Sequence, residues 1–213
     1  MKKMLLVLLF GMFLQISVSK ADFIQDCINA GGQPFSISVV YNGCPGIINV
    51  CVFVVDGVHQ INYWSFEGEN GCTINSPTNL LDPNFWPDID KQVIEYLSNH
   101  TYGPGPCSGA HMSYYQITKR TCEKYRNVEI GPNNWKIILE PCIGNEATCK
   151  KLYSSCWRYI NGTSGATTID LILISSTSEG TANCTAINEI QVLWLGRPCC
   201  ENWVSDCYNI GCY

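Results

Sequence analysis

The chain has 213 residues, of which 14 are cysteines, 46% are apolar and 15% are charged, and its formal net charge is −5. This is too apolar for a disordered chain, lacks a collagen repeat, and is long enough to bury one real core or two small ones. The acidic balance, without any run of lysine and arginine, repels phosphate backbones and excludes nucleic acid as an expected partner.

Residues 1–21 read as a secretory signal peptide. Lys2 and Lys3 precede an apolar stretch from Met4 to Phe13, and the small and polar residues that follow permit cleavage after Ala21. That stretch is too short to cross a bilayer, and no later segment approaches the roughly 18 apolar residues of a transmembrane helix, so no membrane span is expected. The first cysteine, Cys27, lies too far from the cleavage point for a lipid anchor. Removing the leader takes Lys2, Lys3 and Lys20 and no acid, and the added acidity suits solubility outside the cell. The expected location is secreted or cell-surface, with the periplasm as the alternative.

Short strand-like segments dominate the rest. Residues 35–41, FSISVVY, alternate with Phe35, Ile37, Val39 and Tyr41 on one face, and NVCVFVV (49–55) and VHQINYWSF (58–66) follow. Residues 88–100 break the pattern: Ile89, Val93, Tyr96 and Leu97 are spaced as one amphipathic helix, with Asp88 as its N-cap and TYGPGPCSG as its stop. HMSYYQITKR (111–120), WKIILE (135–140), the stretch 147–160, TTIDLILIS (167–175) and INEIQVLWL (187–195) are further strands. TTIDLILIS is apolar on both faces near its end and is expected at the centre of a sheet.

The even cysteine count behind a signal peptide predicts disulfides throughout: Cys27, Cys44, Cys51, Cys72, Cys107, Cys122, Cys142, Cys149, Cys156, Cys184, Cys199, Cys200, Cys207 and Cys212. Paired ligand spacings for zinc and a C-x-x-C redox motif are missing, and no metal or cofactor is expected. Pairing is restricted in places. On one strand Cys149 and Cys156 stand roughly 23 Å apart and cannot bridge. Adjacent Cys199 and Cys200 are expected to reach two different partners, and Cys207 with Cys212 to close a small local loop.

The spacing Cys-x6-Cys recurs at 44–51, 142–149, 149–156 and 200–207, which suggests two similar β units. The segments PCIGNEATCKKLYSSCWRYINGT and GCPGIINVCVFVVDG resemble matching segments of secreted cysteine-rich proteins of Bacteroidota-like bacteria, a group of unknown function. The likeness spans about half of the chain. It departs from that pattern in having Cys149 alone and the cysteine doublet at 199 and 200. The resemblance implies export and a β-rich, staple-dependent fold, and it implies no reaction. The expected fold is therefore mainly β: a disulfide-stapled, antiparallel, sandwich-like architecture with one helix near 88–100, lying against an edge or end of the sheets. The expected organisation is a signal peptide (1–21), a β unit with the helix inserted (22–130) and a second β unit (131–213), or one continuous domain.

Catalytic patterns are weak. His59, His100 and His111 show no metal or triad spacing, and Cys107 near His111 is no nucleophile once oxidised. Glu67, Glu69, Asp82, Asp88 and Asp90 are the carboxylates from which a glycosidase pair would come, yet they read first as turns and a helix cap. The reading leans away from an enzyme and towards a non-enzymatic extracellular module for binding or surface structure, with a carbohydrate-binding or glycan-active protein as the alternative. Its partners would be an extracellular protein or a glycan, or further copies of itself. The residues singled out for binding are Tyr153, Trp157 and Tyr159, which share one strand face with Ser155. They form an aromatic platform if Cys156 ties the opposite face to the core, and ordinary core packing otherwise.

Overall fold

The computed structural model describes residues 18–69, 74–100, 106–107, 112–159, 167–186 and 200–212. Most of the leader, His111, Cys72, Cys199 and the strand expected at 187–195 lie outside the described residues. The chain is mainly β and disulfide-stapled, as expected, with a helix over the expected segment.

Helix α1 (Val18–Asn29) leads into a meander of β1 (Gln33–Tyr41), β2 (Cys44–Val55) and β3 (Val58–Glu69). Its two hairpins turn at Asn42-Gly43 and Asp56-Gly57, all four residues at positive φ. That backbone matches the twist of the flanking strands and suits these residue types. Alternation then decides which side chains meet. Ile37, Val39, Ile48, Val50, Val52, Ile61 and Tyr63 are buried on one face of the meander, in the main core.

A short helix α2 (Pro77–Leu80) and the helix α3 (Phe85–His100) follow. Helix α3 covers that apolar face with Phe85, Trp86, Ile89, Val93, Ile94 and Leu97, all part of the same core. It therefore packs across the sheet face, where its apolar stripe is buried, rather than only at an edge. Its edge contact comes from Gln92, whose amide accepts from Val40 N–H at 2.9 Å and donates to Val40 O at 2.8 Å, occupying the backbone of β1 beyond its pairing with β2. The helix also starts earlier than expected. Pro87 sits in the first turn, where its missing N–H would have no intrahelical partner anyway. The entry turn is built by Asp82, which accepts from Asn84 N–H at 2.9 Å through its carboxylate and from Phe85 N–H at 3.0 Å through its carbonyl. Asp88 is not the cap; it accepts from the Gln92 side chain at 2.8 Å.

Helix α1 lies on the opposite face. Phe23 and Cys27 pack with Cys51 and the half-buried Phe53, the residues that alternate with Val50 and Val52, and Cys27 is bonded to Cys51.

The remaining strands are β4 (Ser113–Arg120), β5 (Cys122–Gly131), β6 (Asn134–Pro141), β7 (Thr148–Tyr159), β8 (Thr167–Glu179), β9 (Thr185–Ala186) and β10 (Trp203–Asn209). One edge of β3 pairs with β2; the other changes partner along its length. Val58–Asn62 pairs parallel with β4, and Phe66–Glu69 pairs antiparallel with β6. The sheet forks there. One branch continues through β4, β7 and β8, the other through β6, β5 and β10, all within one mixed ten-stranded sheet. β4 and β5 are nearly one strand, interrupted at Thr121, whose N–H donates to Ala147 O at 3.0 Å and whose carbonyl accepts from Ile210 N–H at 2.8 Å. Residues 130 and 131 both fall in the β5–β6 hairpin, so the sheet is continuous across the sequence boundary drawn there.

Five disulfides join described residues: Cys27–Cys51, Cys107–Cys156, Cys122–Cys184, Cys142–Cys207 and Cys149–Cys212. Cys149 and Cys156 indeed bond elsewhere. Cys207 and Cys212 do not close a local loop: Cys207, on β10, is bonded to Cys142, and Cys212, beyond the end of β10, to Cys149. Cys44 and Cys200 are also disulfide-bonded. Among the described residues TTIDLILIS is not central either: its strand, β8, ends the strand order there and pairs with β7.

Candidate functional site

The fork in the sheet opens a cleft on the α1 side, with a volume of about 790 Å³. A bulge makes it. Asn49 pairs with Ser65 and Val50 with Tyr63, which leaves Trp64 as an extra residue in β3. A bulge lets two consecutive side chains leave the core face. Here Tyr63 and Phe66 stay buried while Trp64, 39% exposed, turns to the α1 side and packs on Phe23 at 5.4 Å between ring centroids.

Asp26 and Asn62 line the cleft beside Trp64, Arg120 and Lys124 come from β4 and β5, and the turn 142–146 forms the far wall. Both walls are pinned by disulfides, Cys27–Cys51 on one side and Cys142–Cys207 on the other. Charges of both signs line the cleft, Asp26, Glu140 and Glu146 with Arg120 and Lys124. Glu140 accepts from Lys124 at 3.5 Å and from Arg126 at 3.0 Å. Beyond Trp64, Glu67 accepts from Lys136 at 3.0 Å and from the Asn49 amide at 2.8 Å.

A second polar group lies on the other side of the sheet, inside the core. Asp90 of α3, 1% exposed, accepts from Tyr63 at 2.9 Å and Tyr153 at 2.7 Å, with Lys151 Nζ at 3.7 Å. Burial and the Asp90 carboxylate push both phenols up. Lys119 and Glu123 are buried nearby, and Lys119 Nζ lies 3.6 Å from the Trp86 ring centroid. Burial pulls each towards its neutral form: Glu123 rises to about 8 and Lys119 falls to about 7.

The sign for Glu123 follows from proton linkage. Between its ordinary value of 4.5 and about 8 the folded state holds a proton that the unfolded state has released, so its contribution to stability is present at acid pH and is lost as pH rises through that interval. Lys119 acts in the opposite sense, its contribution falling away as pH drops from 10.5 to about 7. The stability of wild type relative to Glu123→Gln is expected to decline steadily across the first interval. Urea unfolding of both proteins at a series of pH values measures it, and a difference that stays flat contradicts the assignment.

The residues singled out from sequence do not form one exposed row. Tyr153 faces the core, 4% exposed. Trp157 is half-buried and Tyr159 exposed, and their rings meet edge to face at 5.1 Å near the end of β7. The opposite face is tied down through Cys107–Cys156, but α3 covers the Tyr153 face as well. Packing thus claims both sides of mid-strand.

The carboxylates weighed for acid and base work also have structural partners. Asp82 accepts from Tyr41 at 2.6 Å, which lowers the carboxyl and raises the phenol to about 12. Asp88, Asp90 and Glu67 are placed as described above, and Glu69 lies at the end of β3. His59 stacks on Tyr115 and His100 on Tyr96. Among the described residues no group of three His, Cys, Asp or Glu side chains is arranged to hold a metal ion.

Sequence reasoning missed the cleft because Trp64 reads as one more alternating residue in VHQINYWSF. The signal was two outward residues, Trp64 and Ser65, between the inward Tyr63 and Phe66. No protein-family model matches the chain, and comparison with curated proteins and with solved structures gives no match.

Proposed function

We propose that the chain is a secreted, non-enzymatic binding module whose cleft holds a neutral polar ligand with flat apolar faces, the chemistry of a saccharide. The observation that carries this reading is the exposed Trp64, aimed into a disulfide-walled cleft by the bulge and braced by Phe23. Sugar rings present C–H faces that stack on indole, while amides and paired ions bond their hydroxyl groups. Asn62 and the Lys124–Glu140–Arg126 cluster supply such groups, and the mixture of acids and bases along the lining gives no field of one sign to attract an ionic ligand. Disulfides of this number form and persist in an oxidising compartment, which supports export.

A glycan array probed with the mature protein tests the reading. Binding is expected to at least one saccharide class, about tenfold weaker for Trp64→Ala, equivalent to about 1.4 kcal/mol. The melting temperature of the variant should stay close to that of wild type, since Trp64 lies outside the main core. Absence of saccharide binding, or equal binding by the variant, overturns it.

A further inference from the structure

We infer, on the saccharide reading above, that the cleft takes the end of an oligosaccharide chain: the terminal ring stacks on Trp64 and the remaining units run away through the cleft. A second, smaller cavity is the observation behind this. It has a volume of about 40 Å³ against about 790 Å³ for the cleft, and Trp64 and Glu140 line both.

The two cavities lie end to end along the strands, with Trp64 at their junction. On β3 the cleft takes Asn62 and the pocket Glu67; on β5 Lys124 and Arg126 fall in the same order, on β6 Pro141 and Ile138, and on α1 Asp26 and Phe23. A row across the sheet forms the far end of the pocket, since Glu67, Ile138 and Arg126 are in register on β3, β6 and β5. Glu67 is held from two sides, by the Asn49 amide at 2.8 Å and by Lys136 Nζ at 3.0 Å. Lys136 belongs to the next row on the same face, so an ion pair stands where a longer groove would have to continue.

Volume decides what each part holds. The cleft falls in the size range that drug-sized ligands occupy, which leaves room for more than one sugar unit. A single water needs about 10–15 Å³ of such space. The pocket therefore takes a substituent of about hydroxymethyl size and excludes a second ring. A chain stacked on Trp64 can extend in one direction only. The polar groups of the pocket suit a hydroxyl. Ser65 Oγ accepts from the Asn49 amide at 2.9 Å and keeps its own proton to donate, while Glu67 and Glu140 accept in return. Those two carboxylates, against the single guanidinium of Arg126, disfavour an acidic substituent.

An array of paired glycans, probed with the mature protein, tests the inference. Each pair ends in the same unit, either free or capped by one further unit, and the glycans are tethered through the reducing end in one set and through the opposite end in another. Expected results are Trp64-dependent binding to the free terminus, a loss of at least about tenfold on capping, and little change when units are added at the tethered end. Ser65→Leu, which fills the pocket, should also weaken binding to the free terminus by about tenfold. Equal binding to capped and free partners, with Trp64→Ala still reducing both, overturns chain-end recognition while the saccharide reading stands, and so does undiminished binding by Ser65→Leu. Absence of Trp64-dependent binding to any glycan overturns both. The capped and free comparison on wild type decides the matter even where Ser65→Leu fails to fold.

Discussion

Asp90→Ala is expected to destabilise the protein by about 3–5 kcal/mol, the range for removing one partner of a buried ion pair. Three groups donate to or face this carboxylate: the hydroxyls of Tyr63 and Tyr153, and Lys151 Nζ at 3.7 Å. Alanine would leave both hydroxyls without that acceptor, and it would leave Lys119 and Lys151 buried with Glu123 as the remaining acid beside them. The loss bears on architecture because Asp90 is carried by α3, Tyr63 by β3, and Tyr153 and Lys151 by β7. One carboxylate therefore fixes how the helix sits over the first branch of the sheet. Asp90→Asn keeps the volume and one acceptor oxygen and should cost clearly less. Urea unfolding followed by tryptophan fluorescence reports on the site directly, since Trp86 lies on the same helix. A loss below about 1 kcal/mol, the scale of one ordinary hydrogen bond, would show that the cluster does not anchor α3.

What was legible in the sequence was local. The alternation of Phe35, Ile37, Val39 and Tyr41 gave the face of β1 correctly, as did that of Ile137 and Leu139 in β6. The spacing of Ile89, Val93 and Leu97 gave the buried face of α3. The buried charges were not legible, because a charge next to an apolar stripe ordinarily faces water. Asp90 adjoins Ile89, and its partners come from strands far along the chain. Lys119 occupies the inward phase of Tyr115 and Ile117, but a lysine at the end of an alternating run reads as the place where the strand leaves the core. The cleft depends on a one-residue register shift at Trp64 and on a change of partner along β3, and both are long-range events. Cysteine spacing misled for a related reason: Cys207 and Cys212 are close in sequence, but their bonding partners lie 65 and 63 residues back in the chain. β8 was placed at the centre of a sheet because its run Leu171–Ile174 is apolar on both faces, a composition that does not distinguish an edge strand with half-exposed Ile172, Leu173 and Ile174 from a central one.

Removing the Cys142–Cys207 bridge as the Cys142→Ala/Cys207→Ala pair is expected to cost about 4 kcal/mol, from the chain-entropy cost of a loop of this length. The bridge spans 65 residues, and Cys122–Cys184 and Cys149–Cys212 span 62 and 63. All three tie the C-terminal part of the chain to β5, to β7 or to the turn between β6 and β7. Cys142–Cys207 has the most specific consequence, because Cys142 opens the turn that walls the cleft. Tyr208 and Ile210 remain in the core, and Ile210 N–H still donates to Thr121 O. β10 should therefore stay docked, with its edge pairing to β5 loosened. Hydrogen exchange is then expected to quicken in residues 142–147 and in β10 while β1–β3 and α3 keep their protection, and saccharide affinity should fall together with the order of the turn. A double variant that unfolds within about 1 kcal/mol of wild type, well below the entropic figure, would mean that neighbouring bridges already restrict the unfolded chain. The Cys142–Cys207 bond would then serve to shape the cleft without adding to stability, and the exchange rates of residues 142–147 would be the measurement that separates the two roles.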